Sequence, residues 1–543
     1  MRKIAVLDLE TDPFEYNKMI HPFVGGFYDG SVFTSYWSKD CVERLVQMLN
    51  AYPEPLTIYA HNGGRFDYFY FLRWIRRDLR IVNSRIIQAA LGKHELRDSY
   101  AIMPFALEEY KKTPIDYNTF KPGIRERHRE TIISYLRDDC IDLYTLCVAF
   151  EQEFGNSLTI GGASMKQLRK FHSFESGNAQ YDAKFRTNFY YGGRNQVFKS
   201  GIIQGPIKVY DVNSMYPHVM KNALHPTSIG ITLRQCITKD TAFISVQGKN
   251  YGAFPVRLED NSLDFTKTSG TFHTTIHEYE TALETRTFIP SKIILTYNFK
   301  RRESFDEFVT HFYNARKAAK ASGDKIRTLF YKFVMNSAYG KFAQNPENYA
   351  DWYITEAGEF PPDYHQCSKA CDPEKCRKRW TPSYMCDNYI IWERPLFEQN
   401  YYNIATGASI TGAARATLLK GLKHADSPYY VDTDSIICRA LTGLDLDETT
   451  LGAWKLEATG SSAAICGKKL YAIYDAHATK CVCKCKPSCG AIKKANKGAR
   501  LDGYQILRIA RGATIESCNP VPRFKFDGSH SFTRRNITRT GNI

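Results

Sequence analysis

Seven acidic residues stand in local contexts that suit metal-assisted phosphoryl chemistry. Asp8 and Glu10 lie two apart in Ile4-Ala-Val-Leu-Asp8-Leu-Glu10-Thr11. Such an apolar run reads as a strand, and the spacing puts both carboxylates on one face. Asp67 follows a second apolar strand, Leu56-Thr-Ile-Tyr-Ala60, and the turn His61-Asn62-Gly-Gly-Arg65-Phe66. The glycines let the backbone turn and approach a ligand closely, and Asp67 opens an aromatic helix. Tyr135-Leu-Arg-Asp138-Asp139-Cys-Ile-Asp142 has helical spacing. Tyr135 and Asp139 share a face there, and Asp138 and Asp142 are expected toward solvent. Taken singly, these are a salt-bridged strand end, a helix cap and a polar helix. Together, Asp8, Glu10, Asp67 and Asp139 offer the oxygen ligands that two Mg²⁺ ions need, with Mn²⁺ an alternative. Two metals about 4 Å apart stabilise the attacking and leaving oxygens of a phosphodiester, and a tyrosine hydroxyl can orient the water.

The other three acids form a second group. Lys208-Val-Tyr-Asp211-Val-Asn-Ser214-Met-Tyr216-Pro217 reads as a strand that ends in a turn at Pro217. Tyr429-Tyr430-Val-Asp432-Thr-Asp434-Ser435 reads as a hairpin with acids at its tip. Burying such acids unpaired is costly, so they need a cation or a partner, or else form a solvated turn. With Asp211 they make a second two-metal site, suited to nucleotidyl transfer. Lys332, Asn336 and Tyr339 recur at four and three residues and line one helix face, and Lys320 reaches the same side of a helical hairpin. Lysines facing such a site suit an incoming triphosphate, whereas a merely solvated basic face needs no Asn and Tyr at that spacing.

Several elements must hold these groups. The 543 residues suggest three to four domains of about 150 residues. Hydrophobic residues at 43% allow a large core and exclude a disordered chain. The net charge of +16 fits a phosphate-rich partner or an acidic membrane surface. The 35 Tyr and 33 Phe suit cationic grooves in which single strands stack on aromatic rings. No run of about 18 apolar residues is present to span a bilayer. The N-terminal run carries Asp8 and reads as a strand, not a secretory leader. The 15 cysteines are then expected as thiols or metal ligands in a reducing cytosol.

The first group resembles the tyrosine-containing subclass of DEDD-type proofreading exonucleases. That resemblance implies that Thr11, Asn62, Phe66 and Ser99 hold a frayed 3′ end, and that Lys112 assists cleavage. Tyr100 departs from the pattern, which usually has leucine there. Three shorter signals complete an ordered set: Tyr190-Tyr191-Gly192-Gly193 between the two groups, Thr411-Gly-Ala-Ala-Arg415 before the acidic hairpin, and Lys469-Leu-Tyr471 after it. In that order the chain resembles family-B DNA polymerases, and within them the protein-primed branch, most closely the replicases of tailless phages with an internal membrane. Tyr210-Asp-Val-Asn-Ser-Met-Tyr-Pro and Gly340-Lys-Phe-Ala-Gln-Asn-Pro346 carry that likeness.

The resemblance implies an α/β multidomain chain: an RNase H-like 3′→5′ exonuclease over 1–185, a linker at 186–200, and a right-hand polymerase. Its palm would comprise 201–225 and 401–470, with an insertion contacting a terminal protein at 226–315 and fingers at 316–345. A second insertion at 346–400 would give strand displacement and processivity, and 471–543 would form a thumb and basic tail. Asp211 and Asp434 would bind the metals, with Asp432 as support. Tyr216 would stack under the sugar and reject a 2′-hydroxyl. Lys320, Lys332 and Asn336 would hold the dNTP and Tyr339 would pack on the nascent pair. Tyr190, Gly192 and Gly193 would guide template, and Thr411, Arg415, Lys469 and Tyr471 would steady DNA. The implied partners are DNA template and primer, dNTPs and a separate terminal protein. The chain would act as a monomer or a 1:1 heterodimer with it in the cytoplasm of an infected host. A conventionally primed enzyme and an inactive DNA-binding relic are the alternatives.

Two cysteine groups depart from that pattern: Cys367, Cys371, Cys376 and Cys386, and Cys481, Cys483, Cys485 and Cys489. Each is either a zinc site, since four thiolates bind Zn²⁺, or a set of free thiols. The basic tail from Arg523 to Arg539 either touches duplex phosphates or is solvated.

Overall fold

The computed structural model describes residues 2–12, 20–75, 79–177, 181–345, 349–366, 379–386, 389–396, 400–444, 446–475, 491–496, 498–519, 522–524 and 530–539. The strand Lys3–Thr11 sorts its side chains as the alternation requires. Ala5, Leu7 and Leu9 enter one apolar layer. Val6 enters the other, against the helix Arg129–Phe154. Asp8 and Glu10 therefore emerge on the side covered by that long helix. Lys3–Thr11 pairs in parallel with Leu56–Ala60, which pairs in parallel with His94–Asp98. Pro22–Tyr28 and Phe33–Trp37 complete one edge in antiparallel fashion.

Beyond His94–Asp98 the same sheet continues through Arg85–Leu91 and Leu79–Val82 into Ala350–Glu356, Tyr389–Pro395 and Thr381–Cys386, ten strands in all. The joint is the antiparallel pairing of Asp351 with Arg80 and Trp352 with Leu79. The described strands of 346–400, expected as a separate insertion, are thus an extension of the first sheet. Nothing local in the sequence announces this pairing, because its partners lie some 270 residues apart in the chain.

A second, seven-stranded sheet is antiparallel throughout. Its order is Ala491–Asn496, Leu470–Tyr474, Trp454–Gly467, Gly201–Val212, Ser435–Leu441, Ala425–Asp432, Asn195–Val197. It takes one strand from the expected linker and two from beyond residue 470, where the thumb was expected to start. The 20-residue helix Ile404–Lys423 is built from Ala, Gly, Ser and Thr on nearly every side and is buried along most of its length. Small side chains let it sit close to several neighbours at once. A four-stranded sheet (Thr232–Arg234, Phe288–Asn298, Thr241–Asn250, Ser269–Thr275) and the helix Ile276–Glu284 form an inserted subdomain. The helices Asp306–Ala321 and Lys325–Phe342 follow as a hairpin, so the first begins inside the span expected for the insertion.

The residues Cys367, Cys371 and Cys376, the side chain of Cys386, and Cys481, Cys483, Cys485 and Cys489 lie outside the described residues. Among the described residues, no helix is long and apolar enough to cross a membrane.

Candidate active sites

The first site forms where the strand Lys3–Thr11 meets the helix Arg129–Phe154. Ligand oxygens of Asp8, Glu10 and Asp139 lie within 4.8 Å of one another. They line a cavity of about 190 Å³ together with His61 and Tyr135. Asp67 stands beside this trio at the start of the 3-10 helix Asp67–Trp74, 3% exposed. Its buried Oδ1 takes no hydrogen bond from the described residues. Burial raises the Asp67 pKa to about 7. Burial, then the charges of Asp139 and Asp67, raises Glu10 to about 8. Asp8 is pushed well up by burial and then by Glu10, Asp67 and Asp139. Four carboxyls that disfavour each other's ionisation, one with an orphaned buried oxygen, fit a divalent cation in chemistry and in spacing.

The loop that carries Asp67 is held from below. Gly64 donates to Asp98 Oδ2 at 3.2 Å. A Cβ on Gly64 would fall 2.0 Å from the Ile86 carbonyl oxygen, so only glycine fits. Arg85 pairs with the same Asp98 carboxylate. Tyr135 interacts with Tyr117 and with Asp139, its neighbour on the same helix face. Lys112 Nζ lies 5.8 Å from the ring centres of both Tyr117 and Tyr135. Thr11 closes its strand opposite Pro22, and Asn62 adopts φ +63° in the turn. Phe66 packs against Tyr70 and against Phe524 from the C-terminal segment.

Ser99, expected at the 3′ end, lies in the interior next to the site. It is fully buried, with Oγ 3.1 Å from His61 Nδ1 and 3.2 Å from the Ala60 carbonyl. Asp142, expected toward solvent, is 7% exposed and paired with Lys111 at 3.0 Å.

The second site lies at one end of the seven-stranded sheet. Asp211 is in register with Ser435, and the Val212 amide donates to the Asp434 carbonyl at 2.9 Å. The strand pairing therefore sets Asp211 and Asp434 side by side. Burial, then the Asp211 charge, raises Asp434 to about 7. Asp432 is differently placed. Lys469 Nζ donates to both its oxygens at 2.8 Å, Tyr430 O–H at 3.2 Å and Asn195 Nδ2 at 3.3 Å. An acid so fully engaged suits support, and Asp211 with Asp434 offers the oxygen set for a divalent cation.

Tyr216 is the second residue of the helix Met215–Asn222. Pro217 sits in its first turn, where a missing N–H costs no hydrogen bond. Tyr216 and Tyr339 stack, with ring centres 3.8 Å apart and planes at 13°. Lys332, Asn336 and Tyr339 are half-buried along one helix, and Lys320 is exposed at the end of the preceding one.

Three residues expected to contact DNA are buried and have partners within the chain. Thr411 is 2% exposed and bonds the Ala408 carbonyl within its own helix. Arg415 is 3% exposed and forms an ion pair with Glu278 at 2.7 Å. Tyr471 is 6% exposed and packs on Tyr430. Tyr190 is half-buried, Gly192 exposed, and Gly193 lies against Thr433. Sequence reasoning missed Asn195, Asp98, Tyr117 and Lys455. The last is a cation 3.2 Å from Asp211. Asn195, Asp98 and Lys455 reach their partners through strand pairing, and Tyr117 through a 3-10 turn, Tyr117–Phe120.

Two carboxylate centres, one on an RNase H-like sheet and one on an antiparallel palm sheet flanked by helices, define the class: a polymerase-type nucleotidyl transferase with a nuclease-type centre in the same chain. A family model described as "DNA polymerase type B, organellar and viral" matches residues 106–428. The DNA-directed DNA polymerase of Enterobacteria phage PRD1 is 43% identical, covering 99% of this chain and 98% of that protein. A probable DNA polymerase of Neurospora intermedia is 25% identical, covering 68% of this chain and 40% of that one. Phi29 DNA polymerase complexed with primer-template DNA aligns at a TM-score of 0.72 and 18% identity, over 99% of this chain and 100% of that one. The chain belongs to the type B DNA polymerases of viruses and organelles.

Proposed function

We propose that the protein is a protein-primed, DNA-directed DNA polymerase with a 3′→5′ proofreading exonuclease. The observation that carries the polymerase reading is the register of Asp211 beside Ser435, which sets Asp211 and Asp434 together at the sheet end. The near-full-length identity to the phage PRD1 enzyme supports the same reading. Divalent Mg²⁺ at each centre would supply Lewis-acid stabilisation of the reacting oxygens. Asp211 and Asp434 would hold it at one centre, and Asp8, Glu10, Asp67 and Asp139 at the other. In synthesis the primer hydroxyl gives up its proton and bonds the α-phosphorus, and pyrophosphate leaves. Lys320, Lys332 and Asn336 orient the triphosphate, and Tyr216, backed by the Tyr339 ring, closes the space beside the sugar. Lys469 fixes Asp432 so that the hairpin tip keeps its shape. At the other centre Tyr135 orients water, Lys112 steadies the leaving strand, and Thr11, Asn62 and Phe66 receive the 3′ end.

The inserted subdomain between Tyr216 and the helical hairpin offers an exposed surface for a terminal protein, whose side-chain hydroxyl would be the first primer. Strand displacement would draw on residues 346–400, and the site of action would be the cytoplasm of an infected cell. Separation of the two centres is the test. Asp8→Ala with Glu10→Ala should end degradation of single-stranded 3′ ends and leave primer extension at the parent rate, and Asp434→Asn should do the reverse. Loss of both activities in either variant, with the thermal midpoint intact, would contradict two independent centres.

A further inference from the structure

The buried pair between Glu278 and Arg415 joins three parts of the chain that the activity must coordinate. Glu278 belongs to the first turn of the helix Ile276–Glu284 in the inserted subdomain. Arg415 lies within the helix Ile404–Lys423. Arg415 Nε and Nη2 donate to the two Glu278 oxygens at 2.7 and 3.0 Å. Its Nη1 donates to the carbonyls of Tyr191 and Gly192 at 2.5 and 2.9 Å. Both side chains are 2–3% exposed. A planar guanidinium can serve a carboxylate and two carbonyls at once, which an ammonium cannot. The inserted subdomain grips the same segment twice more. Arg257 donates to the Tyr190 carbonyl at 2.6 Å, and Arg194 reaches back to the Gly252 carbonyl at 2.9 Å.

The other end of this segment touches the catalytic hairpin. The Thr433 amide, between Asp432 and Asp434, donates to the Arg194 carbonyl at 2.7 Å. Thr433 has φ +60°, a conformation that its surroundings must enforce. A Cβ on Gly193 would fall 2.6 Å from Thr433 Oγ1, so the linker backbone packs directly on the Thr433 side chain.

We propose that Glu278 is a positioning residue for nucleotide addition. It fixes Arg415, Arg415 fixes the Tyr191 and Gly192 carbonyls, and that backbone fixes the tip carrying Asp432 and Asp434. The inserted subdomain therefore sets the geometry of the synthetic centre, and a protein bound to it acts on that centre through this contact. The inference rests on the polymerase reading above.

Glu278→Gln is the informative change. Glutamine also serves at the third position of a capping box, so the helix start survives while the charge pairing with Arg415 is lost. The kcat for dNTP addition to a primed template should fall by about tenfold to a hundredfold, since small misplacement of reacting groups costs this much. The KM for dNTP should stay within about twofold, as expected when binding is untouched. Degradation of single-stranded 3′ ends should continue at the parent rate, which reports a folded chain. Glu284→Gln is the control. It breaks an exposed pair with Lys420 between the same two helices, away from the linker, and should leave every value at the parent level. A parent-level kcat in Glu278→Gln, an equal loss in Glu284→Gln, or a loss confined to KM would overturn the inference. If Glu278→Gln fails to fold, Gly193→Ala tests the linker–hairpin contact alone. The same selective loss of kcat supports the inference, and a parent-level kcat overturns it. A parent protein that extends no primer overturns the polymerase reading as well, whereas normal extension by parent and all variants overturns this inference only.

Discussion

Replacing Glu10 by glutamine should stabilise the metal-free protein while ending its degradation of 3′ ends. The reason is the packing of Asp8, Glu10, Asp67 and Asp139 against one another. Burial, then the charges of Asp139 and Asp67, keeps the Glu10 proton bound up to about pH 8, against an ordinary value of 4.5. Between those two values the unfolded chain has released this proton and the folded chain has not, so the unfolded state binds fewer protons and stability falls as pH rises. At about 1.4 kcal/mol per pH unit, the loss from 4.5 to neutral pH is about 3 kcal/mol. Glutamine carries no such cost. For a cooperative unit of the size of the exonuclease half, that difference corresponds to about 6–12 °C in Tm. Thermal unfolding with a chelator present, at pH 5 and pH 8, is the assay. The parent should melt lower at pH 8 than at pH 5, Glu10→Gln should lose the share of that dependence that Glu10 contributes while Asp8 and Asp67 keep theirs, and the two should converge near pH 5. Added Mg²⁺ should raise the parent Tm at pH 8 far more than that of the variant. A parent Tm that is equal at the two pH values in chelator would show that the buried carboxyls do not hold their protons in the folded state. So would a Glu10→Gln protein that melts no higher than the parent at pH 8.

Two further changes test the synthetic centre. Lys469→Met removes both 2.8 Å contacts to Asp432, and the kcat of nucleotide addition should fall by about tenfold to a hundredfold with 3′-end degradation unchanged, as steady-state assays on the two substrates would read. Tyr216→Val opens the space beside the stacked Tyr216–Tyr339 pair, so discrimination of dNTP over rNTP should fall by at least about tenfold in competition assays.

The sequence displayed its acids well and its supports poorly. Period-two spacing was enough to place Asp8 with Glu10, and helical spacing to place Tyr135 with Asp139, because both are properties of one element. The different surroundings of Asp432, held by Lys469, and Asp434, beside Asp211, were not visible in their two-residue spacing. Asn195, which donates to Asp432, and Lys455, which faces Asp211, are neighbours only once strands distant in sequence have paired. Arg415 shows the limit most clearly. Its type suits phosphate, and nothing local in the sequence shows that a carboxylate 137 residues earlier in the chain pairs with it. Burial and partner identity are tertiary facts. The junction at Asp351 and Arg80, which makes 350–356 part of the first sheet, was hidden for the same reason.

The most direct test of the central claim joins chemistry and priming in one tube. The protein is incubated with its genome-end template, the candidate terminal protein, Mg²⁺ and a single labelled dNTP, and the products are resolved under denaturing conditions. Protein priming should give a labelled terminal protein, resistant to denaturation and absent when Asp434→Asn replaces the parent. A terminal protein that stays unlabelled while the same preparation extends an ordinary DNA primer would contradict protein priming.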